Sequence, residues 1–155
     1  MQKTNVMRLL DQAKIEYTPH LYDNSITDGV TIASVLIEDP ARVFKTLVTV
    51  SDKKVPFVFV IPVAKSLDLK KAAATVSVKS LSMLRQKDLL PLTGYVHGGC
   101  SPIGMKKKFK TVFDDSAADG EIIFFSAGRI GAQVELSTQE AVKYVGATLA
   151  NITVS

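Results

Sequence analysis

Two β-type runs joined by a short polar turn constrain the fold of this chain more than any other feature. Residues 43–51 and 55–62 are rich in valine, phenylalanine, isoleucine and threonine, and Asp52, Lys53 and Lys54 lie between them. β-Branched and aromatic residues favour strands, and a short polar connection is typical of strands that pair antiparallel. The sequence therefore predicts a β-hairpin in the first half of the chain.

The remaining elements are predicted from local periodicity and capping residues. Apolar residues recur at helical spacing after Thr4, and the same argument gives helices at 31–37, after Asp68, at 82–86 and after Ser137. Glu140, three residues after Ser137, completes the signature of a capping box. Further strands are predicted at 15–22, 76–79, 110–114, 121–126, 132–136 and 147–154, with a loop at 127–131. Helices and strands do not alternate regularly, so the pattern favours an α+β fold with a mixed sheet.

The bulk composition limits the class of protein. A chain of 155 residues with 46% hydrophobic residues is expected to fold as one domain, residues 1–155, rather than to be disordered. The net charge of +4 permits a nucleic-acid partner without requiring one. One cysteine, Cys100, allows no intrachain disulfide and favours the cytoplasm. No apolar run is long enough to span a membrane, and with only His20 and His97 beside Cys100 no metal or other cofactor is expected.

A glycine-rich segment at residues 94–108 is the clearest candidate for ligand binding. The Gly98-Gly99 pair lets the main chain approach a ligand because no Cβ intervenes, and successive N–H groups of such a turn can form an anion-binding nest. Lys106, Lys107 and Lys108 follow directly, either as a solvated face or as a track for phosphates. The pattern suggests a polyanionic ligand with a small group recognised at one end.

Three further positions each allow a structural and a functional interpretation. Lys45 lies in an otherwise apolar strand, so its ammonium either extends outward to water or points into a pocket as a cation. His20 and Tyr22 share one face of an extended segment and either pack at a sheet rim or form a pocket wall. Cys100 is either a small buried residue or a nucleophile, and the second role needs a base such as His97 within reach.

Four stretches together resemble the YbaK/EbsC family of aminoacyl-tRNA deacylases, relatives of the editing domain of bacterial prolyl-tRNA synthetase. They are residues 43–47, 62–71, 93–107 and 131–136, and the resemblance extends from Met7 to Ile152. It implies a single compact α+β domain with a mixed, partly barrel-like sheet flanked by helices. It further implies trans-editing, in which the enzyme hydrolyses the ester of a mischarged tRNA, here Cys-tRNA(Pro). From this resemblance we expect the protein to be classed as a hydrolase, and lyase is expected as a second enzyme class.

The resemblance also implies roles for particular residues. Lys45 matches the functional lysine of the family, Tyr22 its pocket tyrosine and Gly98 the glycine whose main chain serves the active site. In the family the substrate's own thiol is taken to attack the ester, so no protein side chain need be the nucleophile. The expected set is Lys45 and Gly98 as catalytic residues, Tyr22, His20, Gly99, Ser101 and Gln133 as substrate contacts, and Lys106, Lys107 and Lys108 as tRNA contacts. The expected partners are the aminoacylated end of tRNA and prolyl-tRNA synthetase, with the chain as a monomer.

One position departs from the family pattern. Where the family has the acid of Gly-x-Asp-x-Glu-Leu, this chain has Gln133. An amide forms hydrogen bonds but neither carries charge nor acts as a base. Two alternatives therefore stay open: a deacylase for another small amino acid, and a non-catalytic module that binds tRNA or a synthetase. A third alternative, a thiol enzyme, rests on Cys100 and not on Gln133.

Overall fold

The computed structural model describes residues 2–155, and Met1 lies outside them. The helices are α1 (Asn5–Gln12), α2 (Gly29–Val35), α3 (Leu69–Thr75), α4 (Gln86–Thr93), α5 (Thr138–Val145) and a 3-10 helix at Asp115–Asp119. The strands are β1 (Tyr17–Leu21), β2 (Phe44–Ser51), β3 (Pro56–Pro62), β4 (Leu81–Met83), β5 (Thr111–Asp114), β6 (Ile122–Arg129), β7 (Ala132–Ser137) and β8 (Thr148–Ala150). None of the helices in this part of the chain is long and apolar enough to cross a membrane.

The strands form two sheets that meet at one point. The first sheet is antiparallel, in the order β1-β7-β6. The second has the order β4-β2-β3-β5-β8 and is mixed, because β3-β5 and β5-β8 are parallel while β2 pairs antiparallel with β3 and β4. An isolated parallel bridge between Val43 and Phe124 joins the sheets without closing a barrel. The predicted α+β class with a mixed sheet is confirmed.

The predicted hairpin is confirmed, and it forms the centre of the second sheet. Phe44 pairs with Pro62 at one end and Val50 with Pro56 at the other. Alternate residues of β3 enter two different cores: Phe59 packs with the α3 residues, whereas Val58 and Val60 pack with α1 and the first sheet. Burial on both faces explains why residues 55–62 read as a continuous apolar run rather than an alternating one.

Side-chain caps start three of the helices where the sequence places them. The Thr4 hydroxyl accepts the Met7 N–H at 3.2 Å, and the Asp68 carboxylate accepts the Lys70 N–H at 3.0 Å. The Ser137 hydroxyl accepts the Glu140 N–H at 3.2 Å, which is one half of the expected capping box. Each such bond satisfies a donor that the first helical turn leaves unpaired.

Two predicted elements between α3 and the glycine-rich segment are wrong. The strand at 76–79 does not form, because Val76 ends α3 and Ser77 turns the chain with φ +59°. Residues 81–83 form β4 instead of a helical turn, since Leu81 pairs with Ser51 at the edge of the second sheet. Pairing with a distant strand therefore decides this segment, and local propensity does not.

The predicted loop at 127–131 is also too long. Strand β6 continues to Arg129, with a shift of register between Ser126 and Arg129. Such a bulge lets one strand continue with an extra residue. Only Ile130 and Gly131 connect β6 to β7, and Gly131 has φ +93°.

Arg42 fastens the region where the sheets meet. Its guanidinium donates to the carbonyl oxygen of Ile122 on β6 at 3.0 Å and to those of Ser116 and Ala117 in the 3-10 helix at 2.8 Å. The guanidinium carbon also lies 5.7 Å from the ring centre of Phe44, within cation–π range. Arg42 thus ties both sheets together directly before β2 begins.

Candidate active site

A cavity of about 430 Å³ lies at the junction of the two sheets. Its walls come from β2, the start of α2, the facing strands β6 and β7, and the glycine-rich segment. The lining residues are Tyr22, Thr27, Asp28, Gly29, Ile32, Val43, Phe44, Lys45, Thr46, Leu47, Val63, Leu89, His97, Gly98, Cys100, Phe125, Ser126 and Gln133. The cavity therefore brings together four of the residues expected at the site: Tyr22, Lys45, Gly98 and Gln133.

A stretch of unpaired main chain on β2 faces this cavity. The bond from Val63 N–H to the Val43 carbonyl and the register of the hairpin show that odd-numbered residues of β2 bond to β3. The main-chain N–H and C=O groups of even-numbered residues point away from β3. The carbonyl of Val48 accepts the Leu84 N–H at 3.0 Å, and the carbonyl of Arg42 accepts the Phe124 N–H at 3.0 Å. Between these two contacts, the N–H and C=O of Thr46 point to the cavity.

The Thr46 side chain adds to this unpaired edge. Its hydroxyl oxygen is buried and has no hydrogen-bond partner within residues 2–155. Buried polar groups are normally paired, so a hydroxyl of this kind in a cavity wall indicates a place where a ligand group binds. Thr46 was not predicted as a site residue from the sequence. The signal that could have indicated it is its position directly after Lys45 on the same strand.

The Lys45 side chain is half-buried in the cavity wall, which agrees with the interpretation that it points into a pocket. The structure shows no carboxylate within salt-bridge distance of its ammonium in the described chain. The pKa of the Asp28 carboxyl is lowered, chiefly by the Thr31 hydroxyl and N–H and to a smaller extent by the Lys45 charge. The ammonium is thus close enough to Asp28 at the start of α2 to feel its charge but forms no salt bridge with it, so it can still attract a ligand oxygen.

Gly98 contributes main chain rather than a side chain to the cavity. It has φ +87°, and a Cβ at this position would lie 3.3 Å from the Thr27 methyl carbon. Gly99 is packed more tightly, because a Cβ there would lie 2.9 Å from the Ile130 nitrogen. Gly98 therefore forms the ligand-facing wall, and Gly99 lets the segment lie directly against the β6–β7 turn.

Internal bonds hold the glycine-rich segment in place. The Gly99 N–H donates to the Val96 carbonyl at 2.9 Å, and the buried Tyr95 hydroxyl donates to the Ile103 carbonyl. Burial raises the pKa of Tyr95 to about 12, so it remains a donor at neutral pH. The Ser101 hydroxyl is buried and accepts the Ile103 N–H at 3.3 Å. The segment is therefore a braced main-chain wall rather than a free loop.

Cys100 lines the cavity as a protonated thiol. Burial raises its pKa to about 12, which leaves only about one thiolate in 10⁵ at neutral pH. His97 is exposed, and no hydrogen bond joins it to Cys100 in the described structure. The geometry offers no activated nucleophile at this position, which argues against the thiol-enzyme alternative.

A polar wall closes the cavity on the side of β7. Gln133 is 4% exposed, and its side-chain carbonyl oxygen has no partner within residues 2–155. In register it lies between His20 on β1 and Ser126 on β6. Tyr22 is half-buried beside this wall, and burial raises the pKa of its phenol despite the nearby Gly131 N–H. Gln133 and Tyr22 thus present polar groups to a ligand in the cavity.

Several residues expected at the site lie outside the lining. His20 bonds through Nε2 to a carboxylate oxygen of Glu135 at 2.7 Å, and Gly99 and Ser101 support the glycine-rich segment from behind. Lys106, Lys107 and Lys108 are exposed on the chain that leaves this segment. Two larger depressions, of about 860 and 930 Å³, lie elsewhere on the surface and contain none of the predicted site residues.

No group of three histidine, cysteine, aspartate or glutamate side chains in residues 2–155 is arranged to hold a metal ion. The cavity offers instead one ammonium, the Asp28 carboxylate, unpaired main chain and neutral hydrogen-bonding groups. Such a site polarises and orients a carbonyl or phosphate oxygen of its ligand.

These features define a small α+β protein with a cavity at the junction of its two sheets, where an ammonium and unpaired main chain can polarise a carbonyl oxygen. Residues 24–144 match the model of the aminoacyl-tRNA editing domain, and the chain belongs to that family. The resemblance to the YbaK/EbsC proteins is thereby confirmed.

A relative from Enterococcus faecalis (strain ATCC 700802 / V583) is 42% identical over 98% of this chain and 94% of its own length. Its name assigns it, provisionally, as the Cys-tRNA(Pro)/Cys-tRNA(Cys) deacylase EbsC. Deacylation is hydrolysis of an ester, so the hydrolase label holds and the lyase label is wrong.

Two crystal structures share the fold at low sequence identity. One is the hypothetical protein APE2540, with a TM-score of 0.90 at 20% identity over 97% of this chain and 100% of the other. The second is a provisionally assigned trans-editing enzyme for prolyl tRNA synthetase, with a TM-score of 0.86 at 19% identity over the full length of both chains. At this level of identity the matches establish the architecture alone.

Proposed function

We propose that this protein is a trans-editing aminoacyl-tRNA deacylase that hydrolyses the ester of mischarged tRNA, with Cys-tRNA(Pro) as its substrate. The observation that carries the proposal is that the Lys45 ammonium and the Gly98 main chain line one cavity beside the unpaired edge at Thr46. The deacylase name of the 42% identical relative supports the choice of reaction and substrate.

The geometry suits ester hydrolysis by positioning. Attack on the acyl carbon, by water or by the substrate's own thiol, turns the carbonyl oxygen into an oxyanion, which the Lys45 ammonium and a main-chain N–H can stabilise. The C–O bond to the terminal ribose then breaks, and the ribose oxygen takes up the proton that the attacking water or thiol loses. Water supplies the hydroxyl of the free amino acid, either in this step or by opening the thiolactone that thiol attack leaves, so the products are that acid and uncharged tRNA. An aminoacyl ester is already reactive, so orientation and charge stabilisation are sufficient.

The size and lining of the cavity favour a small acyl group. Its apolar wall includes Ile32, Val63 and Phe125, and about 430 Å³ must hold both the acyl group and part of the terminal nucleoside. A cysteinyl group fits this description, and so does another small amino acid such as alanine. A deacylase specific for another small amino acid would therefore catalyse the same reaction at the same site.

The exposed lysines after the glycine-rich segment complete the proposal. Lys106, Lys107 and Lys108 are exposed on the chain that leaves the cavity wall, where phosphates of the acceptor end would pass. Such contacts contribute affinity that falls with salt but carries no sequence information. We therefore propose that tRNA choice needs a further contact, with prolyl-tRNA synthetase as the candidate partner.

The test is a panel of mischarged tRNAs incubated with the pure protein, residues 1–155, at fixed ionic strength. We expect Cys-tRNA(Pro) to lose its amino acid at least tenfold faster than in buffer, and correctly charged Pro-tRNA(Pro) to be spared. Faster loss of another small amino acid would change the specificity and keep the reaction. If no ester is cleaved faster than in buffer, the non-catalytic binding module is the better interpretation. Repeating the assay with prolyl-tRNA synthetase tests the partner.

A further inference from the structure

A second polar residue lies behind the Gln133 wall, and the reaction described above does not use it. Glu38 follows α2, and its N–H donates to the Ala33 carbonyl at 2.8 Å, which fixes the start of its side chain. Both carboxylate oxygens of Glu38 are shielded from solvent and have no hydrogen-bond partner in the described structure. The side-chain carbonyl oxygen of Gln133 is also buried and has no hydrogen-bond partner in the described structure. The Gln133 oxygen thus lacks a donor, and the Glu38 carboxylate has only a weak one, the Gln133 amide.

Of the neighbours of Glu38, only the Gln133 amide acts as a hydrogen-bond donor to it, and it does so outside ordinary hydrogen-bond geometry. Burial raises the pKa of the Glu38 carboxyl; the His20 charge and the Gln133 amide oppose this shift, and the Glu135 charge adds to it. His20 is already bonded to Glu135 at 2.7 Å. Tyr22 is near enough for the Glu38 charge to raise the pKa of its phenol, but forms no hydrogen bond with it. The neighbours on β1 and β7 therefore give the carboxylate one weak donor and turn the Gln133 amide nitrogen towards Glu38.

Unpaired acceptors of this kind require a donor from a ligand. A buried acceptor without a donor loses the hydrogen bonds it would make to water, and a buried carboxylate also needs a counter-charge. An ammonium group offers three N–H donors and one positive charge. Gln133 lines the cavity and Glu38 does not, so a ligand ammonium there meets the Gln133 oxygen first, with the Glu38 charge near the Gln133 amide.

We propose that Gln133 and Glu38 together recognise the α-ammonium group of the aminoacyl ester, with Gln133 in contact and Glu38 acting through it as a positioning residue. This inference rests on the proposed function, because the α-ammonium is one carbon away from the acyl carbon that Lys45 polarises. The inference also explains how this chain can have Gln133 where the family has an acid. The negative charge that position 133 lacks is supplied by Glu38. Substrates without a free ammonium are then disfavoured.

The experiment compares two esters of the same tRNA, Cys-tRNA(Pro) and its N-acetylated form, which lacks the charge. Four proteins are assayed for kcat and KM: the natural chain, Glu38→Gln, the double variant Glu38→Gln/Gln133→Asp, and the control Glu121→Gln. Glu121 is exposed, so its substitution makes the same change of net charge at a distance from the cavity. Thermal unfolding verifies that each variant is folded.

We expect Glu38→Gln to lower kcat/KM for Cys-tRNA(Pro) at least tenfold, mainly through KM, and to change the N-acetyl ester less than twofold. The double variant returns a carboxylate to the wall and should recover at least half of the loss on a logarithmic scale. Glu121→Gln should match the natural chain.

Equal losses on both esters, no loss, or no recovery in the double variant would each overturn the inference. If the natural chain cleaves the N-acetyl ester too slowly to measure, recovery in the double variant decides alone. Failure of the natural chain to cleave any aminoacyl-tRNA would instead reject the proposed function, so the two outcomes are distinguishable.

Discussion

The side chain of Lys45 and the main chain of Gly98 line the same cavity, although one belongs to a central strand and the other to a loop after α4. This placement brings an ammonium without a salt bridge and a stretch of main chain into one cavity wall. Under the proposed function, the two would stabilise a developing oxyanion. The following predictions test its parts separately.

Replacing Lys45 by alanine should lower kcat/KM for Cys-tRNA(Pro) at least tenfold and change the thermal midpoint little. The ammonium has no salt-bridge partner in residues 2–155, so its loss removes transition-state stabilisation without breaking a structural contact. Lys53→Ala, in the exposed β2–β3 turn, is the matched control. Full activity of a folded Lys45→Ala variant would contradict the proposed role.

The two adjacent glycines should respond differently to alanine. Gly98→Ala imposes φ +87° on an alanine and should cost about 1 kcal/mol of unfolding free energy, with a clear loss of activity. Gly99→Ala places a Cβ against main chain at 2.9 Å and should cost more, about 2–3 kcal/mol. Urea unfolding measures both. The reverse order of stability would show that the segment shifts more easily than its bracing suggests.

Glu38→Gln should stabilise the free protein at pH 8. Because burial raises the pKa of Glu38 above its ordinary value of 4.5, the folded state keeps this proton to higher pH than the unfolded state does. The carboxylate therefore destabilises the fold above the raised pKa, and this cost disappears as the pH falls below 4.5. We expect a gain of about 1 kcal/mol at pH 8 that vanishes at pH 4, measured from urea midpoints. A loss of stability at pH 8 would mean that the carboxylate has a partner.

Cys100→Ala should retain at least a third of the activity. With its pKa raised to about 12, the thiol stays protonated across pH 6–9 and cannot serve as a nucleophile. The pH–rate profile of the variant should therefore overlay that of the natural chain in this range. Complete loss of turnover in folded Cys100→Ala would restore the thiol-enzyme alternative.

Substituting Lys106, Lys107 and Lys108 by alanine should weaken tRNA binding and reduce its dependence on salt. Each lost phosphate contact lowers the slope of log K against log salt concentration by about 0.7–0.9. The rate of cleavage at saturating tRNA should stay the same, because these exposed side chains do not line the cavity. An unchanged salt slope would place the tRNA on a different face.

The sequence was sufficient where local chemistry decides the structure. The hairpin, the Thr4 and Asp68 caps and the apolar stripe of α1 depend on neighbouring residues only. The pairing of Leu81 with Ser51 instead depends on a distant strand, and the open edge at Thr46 depends on where β4 and β6 stop covering β2. Neither arrangement leaves a local pattern in the sequence.

In the candidate site, too, some residues can be predicted from the sequence and others cannot. Lys45 stands out as a charge within an apolar run, and Gly98 stands out as one of a glycine pair. That the two line one cavity depends on the topology of the fold. Glu38 gives a weaker signal, because it is one of two adjacent acids after a short helix, and its proximity to Gln133 exists only in the assembled fold. Contacts between such distant segments require the assembled structure.

The bonds of Arg42 have a consequence for substrate choice. One guanidinium spans from the β6 edge to the 3-10 helix that follows β5, immediately before the strand that carries Lys45. The two sheets are thus held together at this junction by a side chain that does not line the cavity. Discrimination by size would then be a mechanical property of the scaffold, adjustable from outside the catalytic cavity.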